Sequence, residues 1–388
     1  MIRLLGAFLA SVALLPFAHA GDIERLTLHL VSEDAAARHD AACLDGSLPG
    51  LYVRHGDPTR LMLYFKGGGW CYDEQECLER ASTRLGTSDV LPKYSGGGGL
   101  LSAALPANPA QNDTMAYLWY CDGASFASQR EGNVTVPGST STLRMRGRAN
   151  LDAMMDTLRD NLGVDFAGLQ RVIVAGSSAG SLAVSLSAVH LRKTYFSHIP
   201  DYAVLADAGW FQKRDAYEKE MNNVAAMGNV SVSMFARDAF AGLSTLPKVV
   251  ITNALFDTWQ LLNVLTPPLD CAPSQCNSSE IERMNVYAAD QLSAMAPAFA
   301  AKKNVGVFVD ACAVHTQTNR IYMFDVLANE TLMAAWINCW IHTDGSTCGS
   351  EADKPLFDSN PSCPLPKAWD WHDAPPDSES SRAPIPAK

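Results

Sequence analysis

The sequence lacks several features that would point to common classes of protein. Beyond its first 20 residues, none of its 388 residues belong to an apolar run long enough to cross a bilayer, and no run of basic residues stands out. A membrane-spanning helix needs about 20 consecutive apolar residues. The formal net charge is −11. We therefore expect no nucleic-acid partner and no stable insertion into a membrane.

The first 20 residues are typical of a cleaved signal peptide. Arg3 supplies a positive start, Leu4 to Phe17 an apolar stretch, and Ala18-His19-Ala20 a small-x-small cleavage site. The apolar stretch is shorter than a membrane anchor requires, so an anchor is the weaker alternative. We predict a secreted or periplasmic protein that is cleaved after Ala20.

Metal-binding spacings are also missing. The sequence contains neither a Cys-x-x-Cys pair nor a His-x-x-x-His pair, and we expect no metal and no cofactor. Ten cysteines follow the signal peptide, and in an exported chain an even number favours disulfides. Cys71 with Cys77 and Cys271 with Cys276 are close enough for small local loops. The sequence does not determine the other pairings.

Strand patterns alternate with helical patterns along the chain. Six strands are expected, in "LMLYF" (Leu61 to Phe65), "TMAYLWYCDG", "RVIVAG", "YAVLADAGW", "PKVVITNALFD" and "NVGVFVDACAVH". Helical patterns include "ANLDAMMDTLRDNL" and the stretch from about Ala179 to Lys193. This alternation predicts an α/β fold with a mostly parallel central sheet covered by helices on both faces. In such sheets, ligands bind at the carboxyl ends of the strands.

A serine lies where the third predicted strand turns into a helix. Gly176-Ser177-Ser178-Ala179-Gly180 fits the Gly-x-Ser-x-Gly pattern of a nucleophile elbow, in the strand–turn–helix context that the motif requires. The pattern centres on Ser178, with Ser177 as the alternative nucleophile. An ordinary glycine turn with a serine cap is the structural alternative.

A serine nucleophile needs a base, and α/β-hydrolases order their residues as serine, acid and histidine. Of the later histidines, His190 and His198 are too close to the elbow, and His372 lies in the predicted tail. His315 follows the last strand pattern and is favoured over His342. The histidines after the elbow are His190, His198, His315, His342 and His372.

An acid should orient the imidazole and stabilise its charged form. Asp257 follows the fifth predicted strand and precedes His315, so it is favoured. Asp207 and Asp310 are competitors, each of which could instead cap a loop or pair with a base.

Three glycines and a tryptophan, Gly67-Gly68-Gly69-Trp70, end the first predicted strand. Such a loop is similar to the HGGG-type loop that donates oxyanion-hole N–H groups in esterases. Glycines allow the backbone to approach a substrate carbonyl closely. A flexible turn is the alternative explanation for this motif alone.

At this point the sequence resembles the pectin acetylesterase family, to which the animal Notum carboxylesterases also belong. The matching stretches span about Leu61 to Gln317 and occur in the family's order: "FKGGGWCYDEQECLERASTRLGTS", "YCDGASF", "RMRGRANLDAMMDTL", "VIVAGSSAGS", "LADAGWF", "NALFDTWQL" and "ACAVHTQ". The loop "GGGWC" is closer to the plant and bacterial esterases than to Notum. The resemblance implies an α/β-hydrolase that cleaves oxygen esters without a metal.

The same resemblance implies roles for individual residues. Ser178, Asp257 and His315 would form the triad. The oxyanion hole would comprise backbone N–H groups of Gly68 or Gly69, Trp70 and Ala179. Separately from the resemblance, we expect the stretches that follow two strands to line the cleft, with Asp122, Ser125, Asp207, Trp210 and Phe211 as its substrate-binding residues.

Trp210 and Phe211 could form the acyl pocket or a platform for a sugar ring, with core packing as the alternative. A helical cap is expected over the site from Lys213 to Leu243. We expect one α/β-hydrolase-like catalytic domain over residues 21–363. Residues 364–388, rich in Pro, Ser and Asp, are predicted to be a disordered tail.

The function predicted from the sequence is a secreted serine carboxylic-ester hydrolase acting through an acyl-enzyme. Its substrate would be an acylated small molecule or polysaccharide, and an O-acetylated, pectin-like polysaccharide is favoured. One alternative is a lipid-directed esterase or a Notum-like deacylase of longer acyl chains. An alternative from another class is a carbohydrate-binding module that has lost catalysis. The sequence does not indicate an oligomeric state.

Overall fold

The structure is a computed structural model that describes residues 25–272, 275–301, 303–345 and 347–363. The predicted signal peptide and the predicted tail after residue 363 lie outside these described residues. The strands are β1 (Leu26–Leu30), β2 (Gly50–Arg54), β3 (Asp57–Phe65), β4 (Tyr94–Ser95), β5 (Asp113–Leu118), β6 (Val134–Thr135), β7 (Thr142–Leu143), β8 (Arg171–Ser177), β9 (Asp201–Asp207), β10 (Lys248–Ala254), β11 (Val305–Asp310), β12 (Leu327–Ala328), β13 (Thr331–Leu332) and β14 (Glu351–Ala352).

A ten-stranded sheet forms the centre of the molecule, in the order β14-β11-β10-β9-β8-β3-β5-β2-β1-β4. The strands from β14 to β5 in this order run parallel. Strands β2, β1 and β4 extend the sheet in antiparallel pairing. The six predicted strands correspond to β3, β5, β8, β9, β10 and β11, so the predicted mostly parallel sheet is confirmed.

Both faces of the sheet are buried, which explains the continuous apolar runs in its strands. In β3, Leu61, Leu63 and Phe65 belong to one hydrophobic cluster. Met62 and Tyr64, between them, belong to a second cluster. Successive strand residues point to opposite faces, so the two clusters form on opposite sides of the sheet.

Helices cover the sheet between its strands. They are α1 (Glu33–His39), α2 (Glu74–Arg80), α3 (Gly147–Asp160), α4 (Ala179–Thr194), α5 (Asp215–Gly228), α6 (Ala236–Leu243), α7 (Thr258–Asn263), α8 (Ser278–Ala294), α9 (Ala296–Ala300) and α10 (Met333–His342). The two helices predicted in detail correspond to α3 and α4. The region expected to form a helical cap contains α5 and α6. None of the helices in the described ranges is both long and apolar enough to cross a membrane.

Ion pairs join the parallel strands where they begin, at the end of the sheet that we call the amino edge. Arg171, at the start of β8, donates to both carboxylate oxygens of Asp113, at the start of β5, over 2.7 and 2.9 Å. Lys248, at the start of β10, lies 2.7 Å from Asp201, at the start of β9. The opposite end, where the parallel strands finish, is the carboxyl edge.

Five disulfides connect all ten cysteines: Cys43–Cys121, Cys71–Cys77, Cys271–Cys276, Cys312–Cys363 and Cys339–Cys348. The two local pairings predicted from the sequence are confirmed. Disulfides persist in oxidising compartments, so this set agrees with a protein exported from the cytoplasm.

Candidate active site

A sharp turn between β8 and α4 carries Ser178. The residue has φ 58° and ψ −127°, a conformation that is rare for a residue with a side chain. A Cβ atom on Gly180 would overlap the carbonyl oxygen of Phe65, and one on Gly176 would overlap that of Gly180. Glycine is therefore required on both sides of the serine. The alternative nucleophile, Ser177, is buried and hydrogen-bonded to the Tyr64 hydroxyl.

The Ser178 hydroxyl, the His315 imidazole and the Asp257 carboxylate form a continuous hydrogen-bonded chain. Ser178 Oγ lies 2.8 Å from His315 Nε2. His315 Nδ1 lies 2.9 Å from each carboxylate oxygen of Asp257. The Asp257 side chain is 1% exposed and that of His315 is 17% exposed. These three residues, far apart in sequence, meet at the carboxyl edge of the sheet.

Local structure holds the acid in place. Asp257 is the N-cap of α7 and accepts a hydrogen bond of 3.0 Å from the Gln260 amide. The competing base, His342, lies at the amino edge, where its Nδ1 is 3.0 Å from Arg171. His342 therefore lies at the opposite edge of the sheet from Ser178 and is too far away to act as its base.

The glycine loop after β3 packs directly on the nucleophile turn. A Cβ atom on Gly67 would lie 2.5 Å from the Ser177 carbonyl oxygen. Arg80 donates to the Gly68 carbonyl and Tyr120 to the Gly69 carbonyl, each over 2.9 Å. These bonds fix the carbonyl groups of the loop and with them the direction of its amides.

Within the described part of the chain, several amides beside Ser178 donate to no protein acceptor. They include the backbone N–H groups of Gly68, Gly69, Trp70 and Ala179, the four residues predicted for the oxyanion hole, and also those of the neighbouring Gly67 and Gly180. Unpaired amides beside a nucleophile are suited to an oxygen that gains charge.

Ser125 connects the glycine loop to the nucleophile helix. Its hydroxyl accepts a 2.8 Å hydrogen bond from the Trp70 indole and donates one of 2.8 Å to the Ala179 carbonyl. The side chain is fully buried. The expectation that Ser125 lines the cleft therefore differs from the structure. In the structure, the buried Ser125 side chain joins the glycine loop to the start of α4.

Two of the expected cleft residues, Asp122 and Asp207, are also buried, at 1% and 0% exposure. The Asp122 carboxylate accepts from the Phe126 amide over 2.9 Å and from the Ser128 hydroxyl over 2.6 Å. Burial raises the pKa of both carboxyls. The structure thus places neither carboxylate where a substrate could contact it.

Four aromatic rings, which we call the aromatic wall, pack beside His315. They belong to Trp70, Phe211, Tyr217 and Trp259, and their centroids lie 5.2–6.2 Å apart in every pairing. The Trp259 ring is 6.0 Å from the His315 ring. Because Tyr217 belongs to α5, this helix of the expected cap lies next to the site.

The remaining expected cleft residue, Trp210, is 3% exposed, and its ring centroid lies 5.7 Å from that of Phe240 in α6.

The sequence analysis did not predict that Trp259 and Tyr217 lie beside the site. The position of Trp259, two residues after the acid in "FDTWQ", was an available signal, whereas nothing in the sequence marks Tyr217. In the described ranges, no group of three or more His, Cys, Asp or Glu side chains could hold a metal ion.

Comparison with known families establishes the class of this protein. The model of the pectinacetylesterase family matches residues 22–232 and 225–364. The chain belongs to the pectinacetylesterase family. Pectin acetylesterase 11 of Arabidopsis thaliana is 27% identical over 375 residues, which cover 85% of this chain and 91% of that protein. The predicted family is therefore confirmed, and the protein is a carboxylic-ester hydrolase.

Notum proteins are also similar to this chain. The human palmitoleoyl-protein carboxylesterase Notum is 30% identical over 204 residues, covering 50% of this chain and 38% of that protein. The structure of the Wnt deacylase Notum from Drosophila superposes with a TM-score of 0.71 at 19% identity, over 87% of this chain and 99% of the other. This likeness confirms the α/β-hydrolase-like fold.

Proposed function

We propose that this esterase removes O-acetyl groups from a pectin-like polysaccharide and that Ser178, His315 and Asp257 are its catalytic triad. The observation that carries the proposal is the hydrogen-bonded chain from Ser178 Oγ through His315 to Asp257, with contacts of 2.8 and 2.9 Å. Nucleophile and base lie within hydrogen-bond reach, and a third group orients the base.

The reaction proceeds in two halves. His315 Nε2 takes the proton of Ser178 as Oγ attacks the ester carbonyl, and then gives that proton to the departing sugar hydroxyl. An acetyl-serine remains. Water, deprotonated by the same imidazole, attacks this ester, and acetate leaves as the proton returns to Ser178. Asp257 holds the proton on His315 Nδ1, so that Nε2 is free to accept.

The unpaired amides beside Ser178 supply the electrophilic part of this mechanism. Negative charge develops on the carbonyl oxygen in both halves of the reaction. The N–H groups of Gly69, Trp70 and Ala179 are the proposed donors to it, with Gly68 as the alternative within the loop. One such donor contributes about 3–4 kcal/mol of transition-state stabilisation in other hydrolases.

The packing of the aromatic wall favours a substrate with a short acyl group. Its four rings are between 1% and 8% exposed and contact one another in every pairing, so they form a closely packed wall from Trp70 of the glycine loop to Trp259 beside the acid. A long acyl chain would require an open apolar channel, whereas acetate requires only a shallow recess. A Notum-like deacylase of longer chains is the second candidate, and the fold shared with Drosophila Notum is the observation that favours it.

We further propose that the chain is exported after cleavage behind Ala20 and acts as one catalytic domain over residues 21–363. The five disulfides support export of the chain. The single domain is supported by the central sheet, which draws its strands from Leu26 to Ala352.

Two assays test the substrate. Acetate release should be measured from acetylated pectin, acetylated xylan and simple acetate esters, with Ser178→Ala as the inactive control. A nitrophenyl ester series from acetate to palmitate should show the highest kcat/KM at acetate. A preference for chains beyond about eight carbons would instead establish the deacylase, since each added methylene in an open apolar pocket is worth about 1–3 kcal/mol.

A further inference from the structure

Asp207 has no part in the proposed triad, yet it contacts both loops that carry it. The residue ends β9, and its backbone pairs in register with Ser177 at the end of β8. Its carbonyl oxygen accepts a 2.9 Å hydrogen bond from the Ser178 amide. The main chain of Asp207 therefore holds the strained nucleophile turn against the neighbouring strand.

The carboxylate of the same residue holds the histidine loop. Asp207 Oδ2 accepts hydrogen bonds from the Gln317 amide over 2.8 Å and from the Thr318 amide and hydroxyl, each over 2.9 Å. Its other oxygen accepts from the Thr252 hydroxyl over 2.9 Å. Gln317 and Thr318 are the second and third residues after His315, so these bonds anchor the loop close to the imidazole.

The histidine loop needs such an anchor. Thr316, directly after His315, has φ 62°, in the left-handed region that β-branched residues rarely adopt. A strained residue persists only where its surroundings over-determine it. Two consecutive amides bound to one carboxylate oxygen provide that constraint.

We propose that Asp207 is a positioning residue that sets the distance between Ser178 Oγ and His315 Nε2. The proposal rests on the triad proposed above. A role in substrate binding would need an accessible carboxylate, but the Asp207 side chain is fully buried. A role as the triad acid would need contact with the imidazole, and that contact belongs to Asp257.

The test compares Asp207→Ala and Asp207→Asn with wild type, using acetate-ester kinetics normalised to active sites titrated with a fluorophosphonate. Displacing a catalytic group by about 1 Å can cost about 100-fold in rate. We expect kcat of Asp207→Ala to fall about 100-fold with KM unchanged. Asparagine retains one oxygen that can accept from the loop, so Asp207→Asn should keep kcat within about tenfold of wild type.

Asp113→Asn is the matched control, because Asp113 is an equally buried carboxylate at the opposite edge of the same sheet. It should leave kcat per active site unchanged. Wild-type kcat in folded Asp207→Ala, or a tenfold rise in KM in either Asp207 variant, would overturn the positioning role. If Asp207→Ala does not fold, Asp207→Asn alone decides: a kcat within about tenfold of wild type supports the positioning role, and a larger loss overturns it. A Ser178→Ala variant that stays active would instead reject the triad itself.

Discussion

The amino and carboxyl edges of the central sheet both bury carboxylates, but they compensate them differently. At the amino edge, Asp113 is paired with Arg171 at 2.7 Å. At the carboxyl edge, Asp207, Asp257 and Asp310 accept hydrogen bonds from amides, hydroxyls and His315. Among the described residues, no Lys or Arg side chain lies within ion-pair distance of these three acids.

This difference separates stability from positioning. An ion pair between strand ends, such as that of Asp113 with Arg171 and Arg60, joins side chains and does not bind the backbone of a loop. A carboxylate that accepts from backbone amides fixes the loop to which those amides belong. The amino edge therefore contributes to the free energy of unfolding, whereas the carboxyl edge determines the geometry of the site. The first two substitutions below test the two sides of this comparison, and the third tests whether a buried acid at the carboxyl edge also contributes to stability.

Asp257→Asn should have the largest effect, because asparagine can hold the imidazole in the wrong tautomer. We expect kcat to fall by about 10⁴-fold. Asparagine is also a good N-cap, so the start of α7 and the melting temperature should change little. Steady-state kinetics and a thermal melt measure both. A kcat within tenfold of wild type would contradict the assigned role of Asp257.

Asp113→Asn should lower the stability of the protein and leave its turnover unchanged, the opposite of Asp257→Asn. Removing one partner of a buried ion pair leaves the Arg171 charge uncompensated and typically costs about 3–5 kcal/mol of stability. Equilibrium denaturation with the disulfides intact should show a loss of that order, while kcat per active site stays at the wild-type value. A loss of turnover at wild-type stability would contradict the division between the two edges.

Asp310→Asn should have the smallest effect, which is a change in how the free energy of unfolding depends on pH. Burial raises the pKa of Asp310 to about 7. The folded protein therefore binds more protons at this site than the unfolded chain between pH 4 and 7, given an ordinary aspartate pKa of about 3.9. This contribution to the unfolding free energy is present at low pH and is lost as pH rises through 7.

Thermal melts of wild type and Asp310→Asn at pH 5 and pH 8 measure this contribution. The wild-type melting temperature should decline more between the two pH values than that of the variant. Identical declines in the two proteins would show that Asp310 titrates normally.

The sequence was sufficient to predict the parallel sheet, the family and the positions that meet around Ser178. Apolar runs and the glycines around Ser178 constrain the backbone directly, and the chain order of acid and histidine favoured Asp257 and His315 over their competitors. The sequence was not sufficient to predict the burial of Asp122, Ser125 and Asp207, whose side chains were expected to line the cleft. Their place at a strand end shows only that they are near the edge. Whether a side chain turns outward or back beneath a loop depends on distant partners, such as Gln317 and Thr318 for Asp207.

Long-range contacts also explain what the sequence did not indicate about the acyl pocket. The rings of the aromatic wall come from three separate segments of the chain, and only the fold brings them together. Trp259 follows the acid closely enough to have been suspected. Tyr217 lies in α5, where its spacing is that of an ordinary core residue.

The most direct measurement is fluorophosphonate labelling of the secreted protein, followed by peptide mass spectrometry. A serine reacts rapidly with this probe when a neighbouring base removes its proton and amide N–H groups donate hydrogen bonds to the phosphoryl oxygen as it gains charge. We predict one adduct, on Ser178, that is absent in Ser178→Ala and forms far more slowly in His315→Ala. An adduct on Ser177, or labelling of His315→Ala at the wild-type rate, would contradict the account of the site.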